Sequence, residues 1–457
     1  MIASLLSRDN TVATRFSSRA NSIGFFRWLM AFLVIFSHAG PIAGFYHGED
    51  LGVQISDEQS LGGVAVAGFF FFSGFLITRS RRRTGVVRYF WRRCLRIMPA
   101  FWTALLLTAF VLAPIAWRRE TGSMGGFWNA DVDSPLTYVY QNMFLKLDQR
   151  NIAGMGSSVP FAKEGGYDWN GSAWTLQYEF KAYIMVGLIG LLGVLGYAAS
   201  KWVSTFVAVG IIALNAMLWT GHVNIFTWDN LLSRVFGHSW LVDKVDAFLF
   251  APFGHPFLGD PFNLMLLAPF AFGMLFALWG DKIPVSDVLA VVAIAVALFT
   301  YDQGGWNAGG QFGLLYFLMW GAIRWTRLQH WEKFGDFSYG VYIFAWPLMM
   351  FACYFGLQER GMLVYFAVLT IAVHAIAFCS WHLIEKPAMS LKDWSPAPVL
   401  AALRGRRSAS AEPAAEPAEP AEPAAQASEP HHPSQGPGHH AAAGPALVPA
   451  TATEEGL

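Results

Sequence analysis

Long and nearly uninterrupted apolar runs limit what this chain can fold into more than any other feature. Ten of them approach the length that a helix needs to cross a bilayer, about 20 residues and somewhat fewer where neighbours cover it. The runs are too long and too unalternating for barrel strands, so within lipid they predict helices. The runs lie near residues 25–43, 61–78, 97–117, 174–197, 202–220, 263–280, 286–300, 309–325, 338–356 and 362–384. The sequence therefore predicts an all-α, polytopic transmembrane bundle of about ten spans.

The composition agrees with a membrane environment. Hydrophobic residues make up 54% of the chain and charged residues only 14%, about half the charged share of soluble domains. The net charge is zero, whereas a nucleic-acid-binding protein is expected to be strongly basic. The three cysteines are far apart and form no CxxC or Cys/His pair, so we expect neither a disulfide nor a metal site.

Lysine and arginine counts in short connections predict the orientation. Residues 79–96 contain eight arginines, whereas residues 44–60 contain no lysine or arginine. Because positively charged connections stay in the cytoplasm, we expect both termini to be cytoplasmic. Residues 1–24 then form a cytoplasmic N-terminal segment and residues 25–390 the transmembrane domain. The Ala/Pro/Glu-rich residues 398–457 cannot bury a core and predict a disordered tail.

Ionisable residues inside apolar runs are costly in lipid and are therefore candidates for function. Arg27 and His38 stand 11 residues apart in the first run, which puts them on one helical face, about 16 Å apart along the axis. Glu179, in the fourth run, has a depth similar to that of His38. A snorkelling Arg27, a structurally bonded His38 and an ion-paired Glu179 remain the alternatives.

A stripe of arginines precedes Pro99 at helical spacing. If they share one face, their guanidinium groups suit the oxygens of a polyphosphate, which they bind in bidentate fashion. A topological role or contact with lipid headgroups is the alternative. The stripe consists of Arg88, Arg92, Arg93 and Arg96.

Six short motifs together resemble acyltransferase family 3, a family of integral membrane enzymes that acylate sugars, lipids and macrolides. They occur in the family's order and span nearly all of the folded chain. The motifs are R-x10-H at Arg27 and His38, FFFFSGFLI at 69–77, RYFWRRCLRIMPAFW at 88–102, NGSAWTLQYEFK at 170–181, FGDFSYGVYIFAWPLM at 334–349 and WHLIEKP at 381–387. Many members have a second histidine where this chain has Ala345, so its absence would concentrate the chemistry on His38.

The resemblance implies transfer of an acyl group, by default acetyl, from cytoplasmic acyl-CoA to a hydroxyl of an extracytoplasmic sugar or polysaccharide. The location implied is a bacterial inner or plasma membrane. His38 would be the catalytic base that deprotonates the acceptor hydroxyl, or would take the acyl group itself, and the sequence does not separate the two. Glu179 would orient the imidazole and stabilise its cation, or would bind the acceptor. Arg27 and the arginine stripe would bind the CoA phosphates, and Ser73 would donate to the thioester oxygen.

Aromatic side chains beside hydrogen-bonding groups suit a sugar ring. The long connections 118–173 and 221–262 are rich in them, and Trp174 and Tyr178 follow the first connection. We therefore expect Trp174 and Tyr178 to contact the carbohydrate acceptor.

Two other functions stay open on the sequence alone. One is a secondary transporter with intramembrane Arg, His and Glu, and the other is a non-catalytic partner in polysaccharide export. The corresponding halves with interrupted helices that many transporters have are not visible in this sequence. The sequence therefore favours the enzyme.

Overall fold

The structure is a computed structural model, and it describes residues 10–82, 84–156, 159–163, 168–221 and 261–394. The regular elements in these residues are helices, with one isolated antiparallel bridge between Thr11 and Pro284. The predicted all-α class is therefore confirmed for this part of the chain. Most of connection 221–262 and the predicted tail 398–457 lie outside the described residues.

Each of the ten apolar runs coincides with a helix. Short helices at Val12–Arg15, Pro135–Asn142 and Pro160–Lys163 lie in the connections. The ten apolar helices are α1 Ile23–Ala43, α2 Leu61–Arg81, α3 Val86–Thr121, α4 Trp174–Ile189, α5 Tyr197–Trp219, α6 Pro261–Trp279, α7 Asp287–Gln303, α8 Gln311–Arg324, α9 Ser338–Tyr354 and α10 Met362–Asp393.

Within the described ranges, six of these helices are long and apolar enough to cross a membrane: α1, α2, α3, α5, α6 and α10. The helices α4, α7, α8 and α9 have 16, 17, 14 and 17 residues. At 1.5 Å per residue they extend roughly 21–26 Å, against a hydrocarbon core of about 30 Å. The count of about ten spans and the cytoplasmic termini therefore stay predictions.

Connections that ten crossings would put on the same side do contact each other. At one end of the bundle, the Ser22 hydroxyl donates to the Trp325 carbonyl oxygen at 2.7 Å. At the opposite end, a carboxylate oxygen of Glu58 accepts from the Asn307 backbone N–H at 2.8 Å. Following the predicted orientation, the end with Ser22 is called the inner end and the end with Glu58 the outer end.

The third helix begins earlier than the apolar pattern predicts. The run was expected from residue 97, whereas α3 starts at Val86 and continues through Pro99. Proline removes one backbone donor and disturbs a helix, but it does not end this one. The predicted arginine stripe is therefore part of a helix that continues into the bundle.

Glycines bring the backbones of α2 and α6 into direct contact. A Cβ on Gly74 would lie 2.0 Å from the carbonyl oxygen of Phe270, and one on Gly273 would lie 2.1 Å from that of Phe71. Small residues permit such an approach between membrane helices. Because Ser73 adjoins Gly74, this contact also fixes the position of Ser73.

The orientation can be tested with a reporter enzyme that is active only outside the cytoplasm. Fused after residue 400, it should stay silent, because the arginines of 79–96 hold that end of the bundle inside. A fusion after residue 124, in the connection that follows α3, should be active and serves as the control. A strong signal from the fusion at residue 400 would contradict the predicted orientation.

Candidate active site

Two arginines meet two carboxylates at the inner end of the bundle. Arg27 of α1 and Arg96 of α3 both contact Oδ2 of Asp336, at 2.9 and 2.5 Å. Arg96 also lies 3.6 Å from Glu385 of α10. The Ser338 hydroxyl, at the start of α9, donates to Oδ1 of Asp336 at 2.6 Å. These contacts join four helices.

Asp336 lies in the connection that precedes α9. Burial would raise the pKa of its carboxyl group, but the guanidinium groups of Arg27 and Arg96, together with the Ser338 hydroxyl, lower that pKa well below its usual range. Asp336 therefore stays ionised at neutral pH and holds both arginines in place.

A cavity of about 230 Å³ extends from these arginines into the bundle. Its lining on α2 runs from Ile77 to Val66, about 16 Å along the helix axis. The volume is below the roughly 300–1,000 Å³ of ordinary small-molecule pockets, so the cavity suits a narrow chain better than a bulky ring system. Its polar lining residues are Arg27, Ser73, Arg93, Arg96, Thr175, Glu179, Tyr183, Tyr339 and Tyr342.

Glu179 of α4 lies in the wall of this cavity. Its Oε1 accepts hydrogen bonds from the Ser73 hydroxyl, at 2.9 Å, and from the Tyr183 hydroxyl. A serine hydroxyl has one proton to donate, and the Ser73 hydroxyl donates it in the hydrogen bond to Glu179. Ser73 lines the cavity as expected, but its predicted donation to a thioester oxygen does not fit this arrangement.

His38 of α1 lies at the outer end, just beyond the cavity. Its Nδ1 is 2.7 Å from Oδ1 of Asp50, and its ring packs edge-to-face with that of Trp346, with centroids 4.9 Å apart. Gly62 of α2 lies beside it, since a Cβ there would be 3.4 Å from Cε1 of His38. Gly62 is four residues from Val66, so the cavity ends about 6 Å along the axis from this histidine.

The carboxylate on His38 is therefore not the predicted one. The sequence predicts Glu179 because it has a similar depth, whereas the structure pairs His38 with Asp50. Depth fixes the position of a residue along the bundle but not the direction in which it points. α4 directs Glu179 to the cavity, where Ser73 and Tyr183 bind it.

A tight reversal after α1 brings Asp50 back to His38. Tyr46 and His47, within the reversal, have φ of 52° and 63°, a left-handed conformation that is strained for bulky residues. Sequence reasoning missed Asp50, because residues 44–60 contain four acidic side chains and only this turn selects one of them.

Asp336 was missed as well, although the sequence carried a signal for it. It is the acidic residue of the FGDFSYG motif at 334–340, next to an apolar run. A carboxylate there needs a cation, and Arg27 and the arginine stripe were the cations predicted for the inner end.

The arginine stripe divides between two environments. Arg93 and Arg96 line the cavity, whereas Arg92 contacts Asp393 at 2.5 Å and Arg88 is exposed. Neighbouring helical residues point about 100° apart, so Arg92 and Arg93 cannot face the same ligand. Only part of the predicted phosphate-binding stripe therefore reaches the cavity.

Arg93 is the cavity arginine that pairs with no carboxylate of the described ranges. Its guanidinium lies 5.9 Å from the ring centroid of Tyr183. Its Nε is buried and has no hydrogen-bond partner among the residues the structure describes. Arg93 is therefore available to an anionic ligand.

The predicted acceptor contacts, Trp174 and Tyr178, do not line this cavity. Trp174 packs edge-to-face against Tyr178 and Phe262, with centroid distances of 5.5 Å in both pairs. The ammonium group of Lys181 lies 4.8 Å from the ring centroid of Tyr178. The role of Trp174 and Tyr178 with an acceptor stays a prediction.

Comparison with known proteins gives three findings. The family model described as "Acyltransferase domain" matches residues 21–382. An O-acetyl transferase of Shigella phage Sf6 is 22% identical over 377 residues, which cover 80% of this chain and 96% of that protein. Nodulation protein 10 of Rhizobium leguminosarum bv. viciae is 24% identical over 384 residues, which cover 82% of this chain and 95% of that protein. No solved structure matches the chain.

The family match covers most of the chain, including the segments that hold the arginine cluster, the cavity and His38. It confirms the resemblance that the motifs carry. It also favours the enzyme over the transporter and the export partner that the sequence left open. With six helices in the described part of the chain long and apolar enough to cross a membrane, and with a family match over residues 21–382, the chain belongs to acyltransferase family 3 and is a multi-pass membrane acyltransferase.

Proposed function

We propose that this enzyme moves an acetyl group from acetyl-CoA, at the inner face of a bacterial cell membrane, to a hydroxyl of a sugar or polysaccharide at the outer face. The observation that carries the proposal is the cavity itself. It begins among arginines and ends one helical turn from the His38–Asp50 pair. The O-acetyl transferase of phage Sf6 supports oxygen as the acceptor atom and acetyl as the group.

The inner arginines would hold the phosphates of the donor. Arg27 and Arg96 already share Asp336, so they supply mainly positive potential. Arg93 has no such partner in the described ranges and would contact a phosphate directly. A nucleotide is too bulky for about 230 Å³ and would stay at the mouth, while the narrow pantetheine arm enters.

Glu179 would act on the donor and not on the histidine. Its carboxylate lies deeper in the cavity than the arginines, on the wall shared by α2 and α4. Like charges repel strongly where water is scarce, so an anionic phosphate would be kept at the inner end. The uncharged arm with its thioester would pass Glu179 and approach His38.

His38 would be the general base. Because an ionised Asp50 only accepts hydrogen bonds, the imidazole proton lies on Nδ1, and Nε2 is left to accept a proton from the acceptor hydroxyl. The hydroxyl oxygen then bonds to the thioester carbonyl carbon and the carbon–sulfur bond breaks. The sulfur leaves as the CoA thiol after taking the proton from Nε2, and Asp50 stabilises the imidazolium in between.

The donor site predicts different effects for two neighbouring arginines. Arg93→Gln should weaken acetyl-CoA binding about 10- to 150-fold, because one charge-assisted contact is worth roughly 1.5–3 kcal/mol. Arg92→Gln removes the same charge at an exposed contact with Asp393 and should change affinity less than about threefold. Titration calorimetry of the purified proteins with acetyl-CoA measures both.

Thermal unfolding of both variants controls for misfolding. Equal loss of affinity in Arg92→Gln and Arg93→Gln would assign binding to general charge near α3. Full affinity in a folded Arg93→Gln variant would remove the cavity from the donor site.

The histidine pair predicts loss of turnover without loss of donor binding. His38→Ala should abolish transfer, and Asp50→Asn should slow it by at least about 100-fold, because an amide fails to fix the tautomer and to stabilise the cation. Glu49→Gln is the matched control, since it removes an exposed acidic charge next to Asp50. The release of CoA thiol measures the rate.

Glu179→Gln separates the two carboxylates. We expect it to change the KM for acetyl-CoA and to leave the pH profile of kcat as in the wild type. If instead it alters that profile as Asp50→Asn does, Glu179 and not Asp50 is the partner of the base. Wild-type turnover in His38→Ala would show that His38 is not the general base and would contradict the proposed mechanism.

A further inference from the structure

A second cavity at the inner end has a different character from the donor cavity. It has a volume of about 510 Å³ and lies between the end of α2, the end of α4 and the start of α5. Arg81, Arg82 and Lys201 line it, and among the residues that the structure describes no acidic side chain does. A volume of this size is usual for a small-molecule site. This cavity is called the basic groove below.

The three cations of the basic groove pair with neutral groups. Arg81 donates to the carbonyl oxygens of Gly187 and Thr84, at 3.4 and 2.8 Å. The guanidinium of Arg81 also occupies the space beside Gly190, where a Cβ would lie 2.4 Å from its Nε. The glycine therefore makes room for a charge that no carboxylate of the described residues pairs with.

The other two cations are held by aromatic side chains. Arg82 donates to the Tyr197 hydroxyl at 2.6 Å, and the Lys201 ammonium lies 3.7 Å from the ring centroid of Trp279. Asp281 lines an adjoining recess that Arg82 and Lys201 also border, and its carboxylate lies 3.8 Å from the ammonium group of Lys282. Within the described ranges the groove thus has three positive charges without a carboxylate within 4 Å. Arg27 and Arg96 in the donor cavity, by contrast, share Asp336.

A buried hydroxyl adds an independent sign of a ligand. Thr78 lines the groove and is 4% exposed, and its Oγ1 has no hydrogen-bond partner in the part of the chain that the structure describes. A buried hydroxyl without a partner is costly, and a ligand oxygen would remove that cost.

Three cations and a hydroxyl around one groove suit the oxygens of a phosphate group. Phosphate could come from a phospholipid headgroup or from the nucleotide of the donor. The surroundings favour the lipid, because Leu188 and Leu191, which flank the groove residue Gly190 in the sequence, are exposed and offer apolar surface to an acyl chain. The donor cavity has its own arginines and shares none of them with the groove.

We propose that the basic groove binds the headgroup of an anionic phospholipid from the inner leaflet, with Arg81, Arg82 and Lys201 as its cations. Basic pockets between membrane helices are known to bind such headgroups. A lipid bound there would join α2, α4 and α5, which the described contacts of Arg81 and Arg82 already connect.

Native mass spectrometry of the full-length protein tests the proposal, with phosphatidylglycerol or phosphatidylcholine added to the detergent. The wild type should retain phosphatidylglycerol at least about tenfold better than phosphatidylcholine, and R82Q/K201Q should lose that preference. The control R118Q/R119Q removes two exposed arginines from the other end of α3 and should keep it. If the double variant fails to fold, K201Q alone is measured and should lower the preference.

Acetyl-CoA affinity, measured on the same variants, distinguishes the two sources of phosphate. Unchanged affinity in R82Q/K201Q, together with lost lipid retention, supports the proposal. Lost acetyl-CoA affinity with full lipid retention would overturn it and assign the groove to the nucleotide. Full lipid retention with unchanged acetyl-CoA affinity would also overturn it. The lipid measurement needs no turnover, so its outcome does not depend on whether the proposed reaction is correct.

Discussion

The inner end of this enzyme depends on the ion pairs that the carboxylate of Asp336 makes with Arg27 and Arg96. The carboxylate holds both arginines, and Glu385 approaches the same group from α10. Largely buried charges of this kind are stable only as a set, because removing one partner leaves the others desolvated and unpaired, typically at a cost of about 3–5 kcal/mol. The cluster therefore fixes where four helices meet, and that meeting point is the mouth of the cavity.

The two polar centres of the site depend on different parts of the chain. The arginine mouth is built from helix ends and from the connection before α9. The His38–Asp50 pair depends on one strained reversal between α1 and α2. α1 links them, since it carries Arg27 near its start and His38 near its end. A rigid helix between two locally determined sites keeps their separation constant while each site is shaped by its own neighbours.

The sequence was a good guide to position along the membrane and a poor guide to direction around each helix. All ten apolar runs correspond to helices, because a long apolar run has few alternatives in lipid. Arg27 and His38 were expected about 16 Å apart along one helix, and α1 carries both. Glu179 was expected to meet His38 from depth alone, yet the helix rotation turns it toward Ser73. Asp50 reaches His38 because residues in the turn before it have a left-handed backbone conformation, which hydrophobic periodicity does not predict.

Only part of the predicted arginine stripe reaches the cavity, for a related reason. A spacing of four residues puts Arg88, Arg92 and Arg96 near one line, but Arg93 lies about 100° away from Arg92. The two arginines therefore have different surroundings. Arg92 contacts Asp393, near the last described residues, while Arg93 lines the cavity. The acidic partners of Arg92 and Arg96 come from distant parts of the chain, so the local spacing does not show which arginine is left for a ligand.

The glycine contact between α2 and α6 has a consequence for how the cavity can change shape. With the backbones touching at Gly74 and Gly273, α2 has no space to retreat toward α6. The wall that carries Ser73 is thus an immobile one. The wall beside Met389 of α10 is held as well, since Arg96 lies 3.6 Å from Glu385 and Arg92 contacts Asp393. With both walls held, the width of the acyl chain that the cavity accepts is governed by the side chains that line it and not by movement of the helices.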